Sequence, residues 1–225
     1  MNYLVDPFAN NEFMRLALFG GILVAFTCAI AGTFVVLRGL AFVGDALAHG
    51  VLPGIATAML LGVSGIVGAA IGAAVMMGGV SVVSRRFRLS GDTAIGLLFV
   101  GMLALGVMIT SRSSSFVGDL ANILFGELLG ITTTDLAWQF IALLVVGAIA
   151  FVSRRPFLLL TVDDGLARTS GFSARLFHNV MLAMVALTVI ASFQTVGTLL
   201  VLGMLIAPAA TGSLFARRIE SMMLI

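Results

Sequence analysis

Apolar side chains run through this sequence in blocks too long for a soluble core, and the few charges fall between the blocks. The first block reaches from about Phe13 to Leu37 and ends at Arg38, with Gly20, Gly21 and Gly32 offering faces for close packing. A spanning helix needs about 20 residues, so the region from Leu40 to Ser84 must hold two. Their boundary is placed at Gly62-Val63-Ser64-Gly65, giving spans from about Leu40 to Leu61 and Ile66 to Val83, the second closed by Arg85, Arg86 and Arg88. A fourth span is expected from Asp92 to Thr110, and a fifth from Asp135 and Trp138 to Arg154-Arg155-Pro156. From His178 to Phe215 no charge interrupts the chain, which again means two spans, divided near Gln194 to Thr198, with Pro208 kinking the second.

Three stretches do not fit a spanning helix. Met1 to Glu12 reads as an amphipathic lead-in containing Pro7. Asp119 to Gly130 is apolar on one side but too short to cross at 1.5 Å per residue, so it is expected to be re-entrant or surface-lying. Thr161 to Arg175 carries Asp163, Asp164, Arg168 and Arg175, and predicts a solvent-facing connector with a short helix capped by Asp163 or Asp164 and closed by Gly171. The expected architecture is therefore all-α: a single polytopic transmembrane domain over residues 1–225, with about seven spans and one short re-entrant helix.

Composition agrees with that pattern, since 60% of residues are hydrophobic and only 10% charged, where soluble domains carry about 25% charged. Mean hydropathy is +1.19. All 12 basic residues are arginines, and they set an orientation. With the N-terminus outside, alternation of the spans leaves only Arg15 and Arg112 on the outer side, and the Asp163 to Arg175 connector becomes cytoplasmic. The pI near 9.5 then reflects topology rather than nucleic-acid binding.

The candidate chemistry lies in Gly44-Asp45-Ala46-Leu47-Ala48-His49. Asp45 and His49 are four residues apart, so a helix projects both from one face. An Asp in lipid costs about 2.5–3.5 kcal/mol even on lenient insertion scales, so its default reading is functional. Carboxylate oxygen and imidazole nitrogen suit manganese, zinc or iron. Two ligands are too few for any of them, and a homodimer pairing two copies of this helix would supply two Asp and two His. On the residues alone, a proton relay and a mutually hydrogen-bonded structural pair stay open beside the ion site.

Other candidates carry less. Glu127 and Asp119 could guide cations or meet a delivery protein, or serve as caps and solvated faces; Gln194 and His178 read as interfacial. The 12 methionines are scattered, as packing side chains are. The single Cys28 excludes an internal disulfide framework. No GxxxxGK[ST] loop occurs, there is no lysine, and neither a Ser/His/Asp order nor a HExxH helix is present, so any ATP-driven motor is another chain.

Leu37 to Gly54 (LRGLAFVGDALAHGVLPG) and Ser192 to Gly212 (SFQTVGTLLVLGMLIAPAATG) resemble two signature stretches of the bacterial ATP-binding-cassette permeases that import manganese, zinc or iron. Asp92 to Gly96 and Asp119 to Gly130 fall where similar segments sit in that family. The resemblance covers essentially the whole chain. It implies a multi-pass subunit of the bacterial plasma membrane, without enzyme activity or a permanently bound cofactor, that pairs with a second copy of the permease. It also implies a cytoplasmic ATPase subunit and an extracellular metal-binding lipoprotein as partners, and a transported divalent metal as cargo. Asp45 and His49 match the family's metal-coordinating Asp and His. Asp163, Asp164, Gly165, Ala167 and Gly171 match the connector that docks on the ATPase. Related permeases continue past the position of Ile225 into at least one further helix, so the chain reads as lacking the family's last one. Manganese is favoured over zinc or iron because no Cys joins the candidate site; the alternative is a proton-coupled secondary metal transporter.

Overall fold

A computed structural model describes residues 11–87, 91–112, 121, 124–127, 130–215 and 222–223, and all regular structure among them is helical. Helix α1 (Glu12–Leu37) is 26 residues, about 39 Å of helix. It ends where Gly39 takes φ 67°. There the Gly39 amide donates to the Val36 carbonyl and the Leu40 amide to the Val35 carbonyl, the paired bonds of a Schellman turn. That turn delivers the chain directly into α2 (Ala41–Gly50).

The expected second span is present but is not one continuous helix: α2 gives way at Val51 to α3 (Leu52–Leu60). Pro53 sits in the first turn of α3, where its missing N–H is tolerated. Its ring nitrogen cannot donate to the carbonyl of His49, four residues back, so the ladder lapses at the end of α2. The expected break at Gly62 to Gly65 is found, with Gly62 at φ 67° and α4 (Gly65–Phe87) following. Helices α3 and α4 meet backbone to backbone: a methyl on Gly54 would strike the Gly68 carbonyl, and one on Gly68 the Gly54 carbonyl. Gly72, one turn on, lies against Val51, the small-xxx-small arrangement that lets membrane helices approach.

Helix α5 (Gly91–Thr110) is followed by α6 (Thr133–Val152), whose start is fixed by a capping box between Thr132 and Asp135. The fifth span ends at Val152, just ahead of Arg154-Arg155-Pro156 as expected, and a further helix not foreseen in the sequence, α7 (Arg154–Val162), follows with Pro156 in its first turn. Phe157 on α7 is fully buried, its ring 5.0 Å edge-on from Phe34 of α1. The connector helix α8 (Asp164–Thr169) follows at once.

Helix α9 (Ala174–Phe215) has 42 residues, about 63 Å if straight, twice the hydrocarbon thickness. It is divided at Gly197, whose φ of 74° and ψ of 163° are not helical. His178 shares a cavity with Leu40 and Val43 just past the end of α1, Thr195 packs beside Gly20 near its start, and Leu205 and Ala209 pack beside Gly32 toward its end. The chain therefore reverses at Gly197, inside the Gln194 to Thr198 stretch where length demanded a break.

Six helices, counting Ala41–Leu60 and Ala174–Phe215 as one each, are long and apolar enough to cross a membrane among the described residues. The reversal makes the last a pair of passes through the bundle. Helices α1 and α9 form its centre, with Val24, Phe34, Met184 and Leu205 fully buried. Ile71, Val75, Leu97, Val100 and Leu144 stay exposed on α4, α5 and α6, as lipid-facing side chains do. Of the short helix expected from Asp119 to Gly130, Asp119 lies outside the described residues, as do Pro7, Arg88, Arg217 and Arg218.

Candidate metal site and connector

The α2 helix does what the four-residue spacing requires: His49 Nε2 lies 3.4 Å from Asp45 Oδ1. The imidazole is 12% exposed and the carboxylate 28%. At that separation the two groups face one another without closing a strong bond, since charge-assisted N–H···O contacts run about 2.7–2.9 Å. His49 Nδ1 is buried with no hydrogen-bond partner. The ring is held edge-on against Phe99 of α5, centroids 5.3 Å apart. Gly50 leaves no room beside it, because a methyl there would meet the Met76 side chain at 2.8 Å. The imidazole is thus seated by Phe99 of α5, and the pair is under-used by hydrogen bonding. Among the described residues no third His, Cys, Asp or Glu joins it.

The sequence does not single out Phe99 or Met76, and no local signal could, because both arrive from other helices. The lapse at Val51 does have a signal, the Gly50 and Pro53 that bracket it.

The connector residues behave differently from one another. Asp163 is the N-cap of α8, its carboxylate accepting from the Gly165 and Leu166 amides. Asp164, still exposed, forms an ion pair with Arg38 at 2.9 Å. Ala167 is fully buried, packed with Leu160 and Ala174. Gly171 takes φ 85° in another Schellman turn, with its own amide bonded to the Arg168 carbonyl and that of Phe172 to the Ala167 carbonyl. Replacing Asp163 by Ala should cost the cap about 1 kcal/mol. Hydrogen exchange at Gly165 and Leu166 should then speed up about fivefold, with α1 amides unchanged.

Two of the weaker candidates come together at the opposite end of the bundle. The Glu127 amide donates to the Gln194 carbonyl at 3.1 Å, and both residues line a cavity of about 320 Å³ with Ile55, Asp135 and Phe193. His178 lines a separate apolar cavity of about 230 Å³ with Leu40, Val43 and Met76, its Nδ1 without a partner.

Comparison with known proteins agrees on what the chain is. The family model described as "ABC 3 transport family" matches residues 10–225. "Manganese transport system membrane protein MntC" of Halalkalibacterium halodurans is 35% identical over 224 residues, 99% of this chain and 76% of that protein. "Chelated iron transport system membrane protein YfeD" of Yersinia pestis is 34% identical over 220 residues, 98% of this chain and 73% of that protein. The solved structure titled "PsaBC from Streptococcus pneumoniae in complex with Fab" superimposes with a TM-score of 0.88 at 30% identity, over 98% of this chain and 79% of that one. The chain belongs to the ABC 3 transport family, as a multi-pass permease subunit for metal import in the bacterial inner membrane whose ATP hydrolysis is done by a separate chain.

Proposed function

We propose that the chain imports divalent transition-metal ions, manganese in preference to zinc or iron, through a path in which Asp45 and His49 bind the ion. The observation that carries this reading is the pair itself: a carboxylate and an imidazole aligned on one helix, 3.4 Å apart, with His49 Nδ1 buried and unpartnered. A second copy of the permease completes the site, since one chain brings only two ligands and two chains bring four. Water supplies the rest of the roughly octahedral shell that manganese takes. Manganese is preferred because no thiol joins the pair among the described residues, the single Cys28 being buried in α1.

Sidedness follows from the arginines: the N-terminus is outside, and the end bearing Arg38 and α8 is cytoplasmic. The ATPase subunit docks on α8, where Leu166 is 44% exposed and Asp163, Gly165 and Gly171 set the shape of the turn-bounded helix. Ala167 serves that surface from beneath, by seating the helix on Leu160. At the outer end, the cavity bearing Glu127 and Asp135 receives metal from the extracellular lipoprotein. ATP binding moves the permease between inward- and outward-open states by favouring one of them.

The test is uptake of radiolabelled manganese, zinc and iron into vesicles holding the permease with its ATPase. ATP-dependent accumulation led by manganese is expected. Accumulation that ignores ATP and collapses with the proton gradient would instead establish the proton-coupled alternative, which the family assignment leaves without support.

A further inference from the structure

Arg38 joins the connector to the metal helix through a contact that spans most of the chain. Arg38 Nη1 donates to the Leu160 carbonyl at 2.7 Å, and Nη2 to Asp164 Oδ1 at 2.9 Å. These partners are 122 and 126 residues away in sequence. The Arg38 side chain is only 14% exposed, whereas Asp164 is 55% exposed.

The position of the fork explains its use. Asp163 is extended, with φ −162° and ψ 136°, so α7 stops there and α8 starts. The Leu160 carbonyl belongs to the last turn of α7, where carbonyls have lost their helical partners and the negative end of the helix dipole lies. Asp164 stands in the first turn of α8. A planar cation with two parallel donors is suited to hold a carbonyl and a carboxylate at once, and a lysine is not. Arg38 therefore pins the joint between α7 and α8, not merely one of them.

On its own side, Arg38 is equally constrained. It is the C-cap of α1, followed by the Schellman turn through Gly39 and Leu40, and α2 begins at Ala41. Asp45 lies seven residues and His49 eleven residues beyond Arg38. Because α2 has only 10 residues and lapses at Val51, it is a short rod with a bend at each end.

We propose that Arg38 is the positioning residue that transmits movement of the connector to the helix bearing Asp45 and His49. This rests on the reading that α8 is the ATPase dock and Asp45 and His49 the metal site, and it adds the link between them. Arg38 touches neither metal nor ATPase; it makes the α7–α8 joint and the start of α2 move as one body.

The experiment measures metal taken up per ATP hydrolysed, in vesicles holding the full permease with its ATPase, for wild type, Arg38→Gln, Arg38→Lys, Asp164→Asn and the Arg38→Gln/Asp164→Asn double variant. Co-purification of the ATPase and manganese binding to the detergent-solubilised complex are recorded for each. Arg38→Gln is expected to lower uptake per ATP about tenfold while ATPase co-purification and manganese affinity stay at wild-type levels. Arg38→Lys should recover only part of the loss, and the double variant should be no worse than Arg38→Gln alone. The proposal is overturned if Arg38→Gln keeps the wild-type ratio. It is also overturned if uptake and hydrolysis fall in proportion, which marks a merely structural role. Wild-type vesicles that show no ATP-dependent uptake at all would defeat the proposed function itself, an outcome visible before any variant is compared.

Discussion

Asp45→Ala and His49→Ala each lower ATP-driven manganese uptake by at least about a hundredfold, with no loss of folded permease. Groups that merely orient metal ligands commonly cost 10–100-fold when removed, and a ligand should cost no less. In Asp45→Ala folding should be spared because a carboxylate in an apolar helix opposes insertion, and its removal relieves about 2.5–3.5 kcal/mol. The surroundings also argue against a structural role. At 3.4 Å the pair has no strong bond to lose, and the His49 ring is seated by Phe99 rather than by Asp45. Asp45→Asn and His49→Gln sharpen the test, since both preserve shape and hydrogen bonding while weakening the donor atoms. Uptake by those two variants at wild-type rates would exclude metal coordination by the pair. Manganese binding measured by calorimetry on the solubilised complex should fail in the same variants, which separates loss of the site from loss of the ATP-driven cycle.

Much of this architecture is legible in the sequence because membrane spans obey two local constraints, length and the absence of charge. The break at Gly62 to Gly65, the reversal near Gln194 to Thr198 and the Asp163 cap of α8 all follow from residues adjacent to the feature. Helix α7 leaves no such mark, because Arg154-Arg155-Pro156 ends a span equally well whether helix or coil comes next. What distinguishes the two is Phe157 finding Phe34, a contact between residues more than a hundred positions apart. The candidate site divides in the same way. Spacing alone places Asp45 and His49 on one face. Phe99 against the ring, Met76 against Gly50 and the Arg38 fork depend on how helices pack, and pairwise packing leaves no mark that one sequence can reveal. The connector shows the limit most plainly: Asp163 and Asp164 are adjacent acidic residues, yet one caps its own helix and the other pairs with α1.

The second large effect is expected at Gly197, where Ala or Val should destabilise the permease by more than about 3 kcal/mol. Two costs add there. The backbone at φ 74° and ψ 163° lies in a region essentially closed to residues with a Cβ, which accounts for about 1–3 kcal/mol. A methyl would also run into the backbone of Leu124, Phe125 and Gly126, and Gly126 is itself at φ 71° with its own missing Cβ turned toward Gly197. Two glycines thus meet face to face, and neither can retreat without moving the Glu127 amide from the Gln194 carbonyl. The same helix supplies its own control. At Gly203, six residues on, a methyl would find nothing within 4 Å and the φ is ordinary, so Gly203→Ala should be neutral or slightly stabilising. Thermal unfolding in detergent, followed by monodispersity on gel filtration, reads both variants. A Gly197→Ala protein that melts with wild type would mean that α9 can run straight through this point. In that case the reversal, and with it the burial of Leu205 against Gly32, would not be a property of the folded chain.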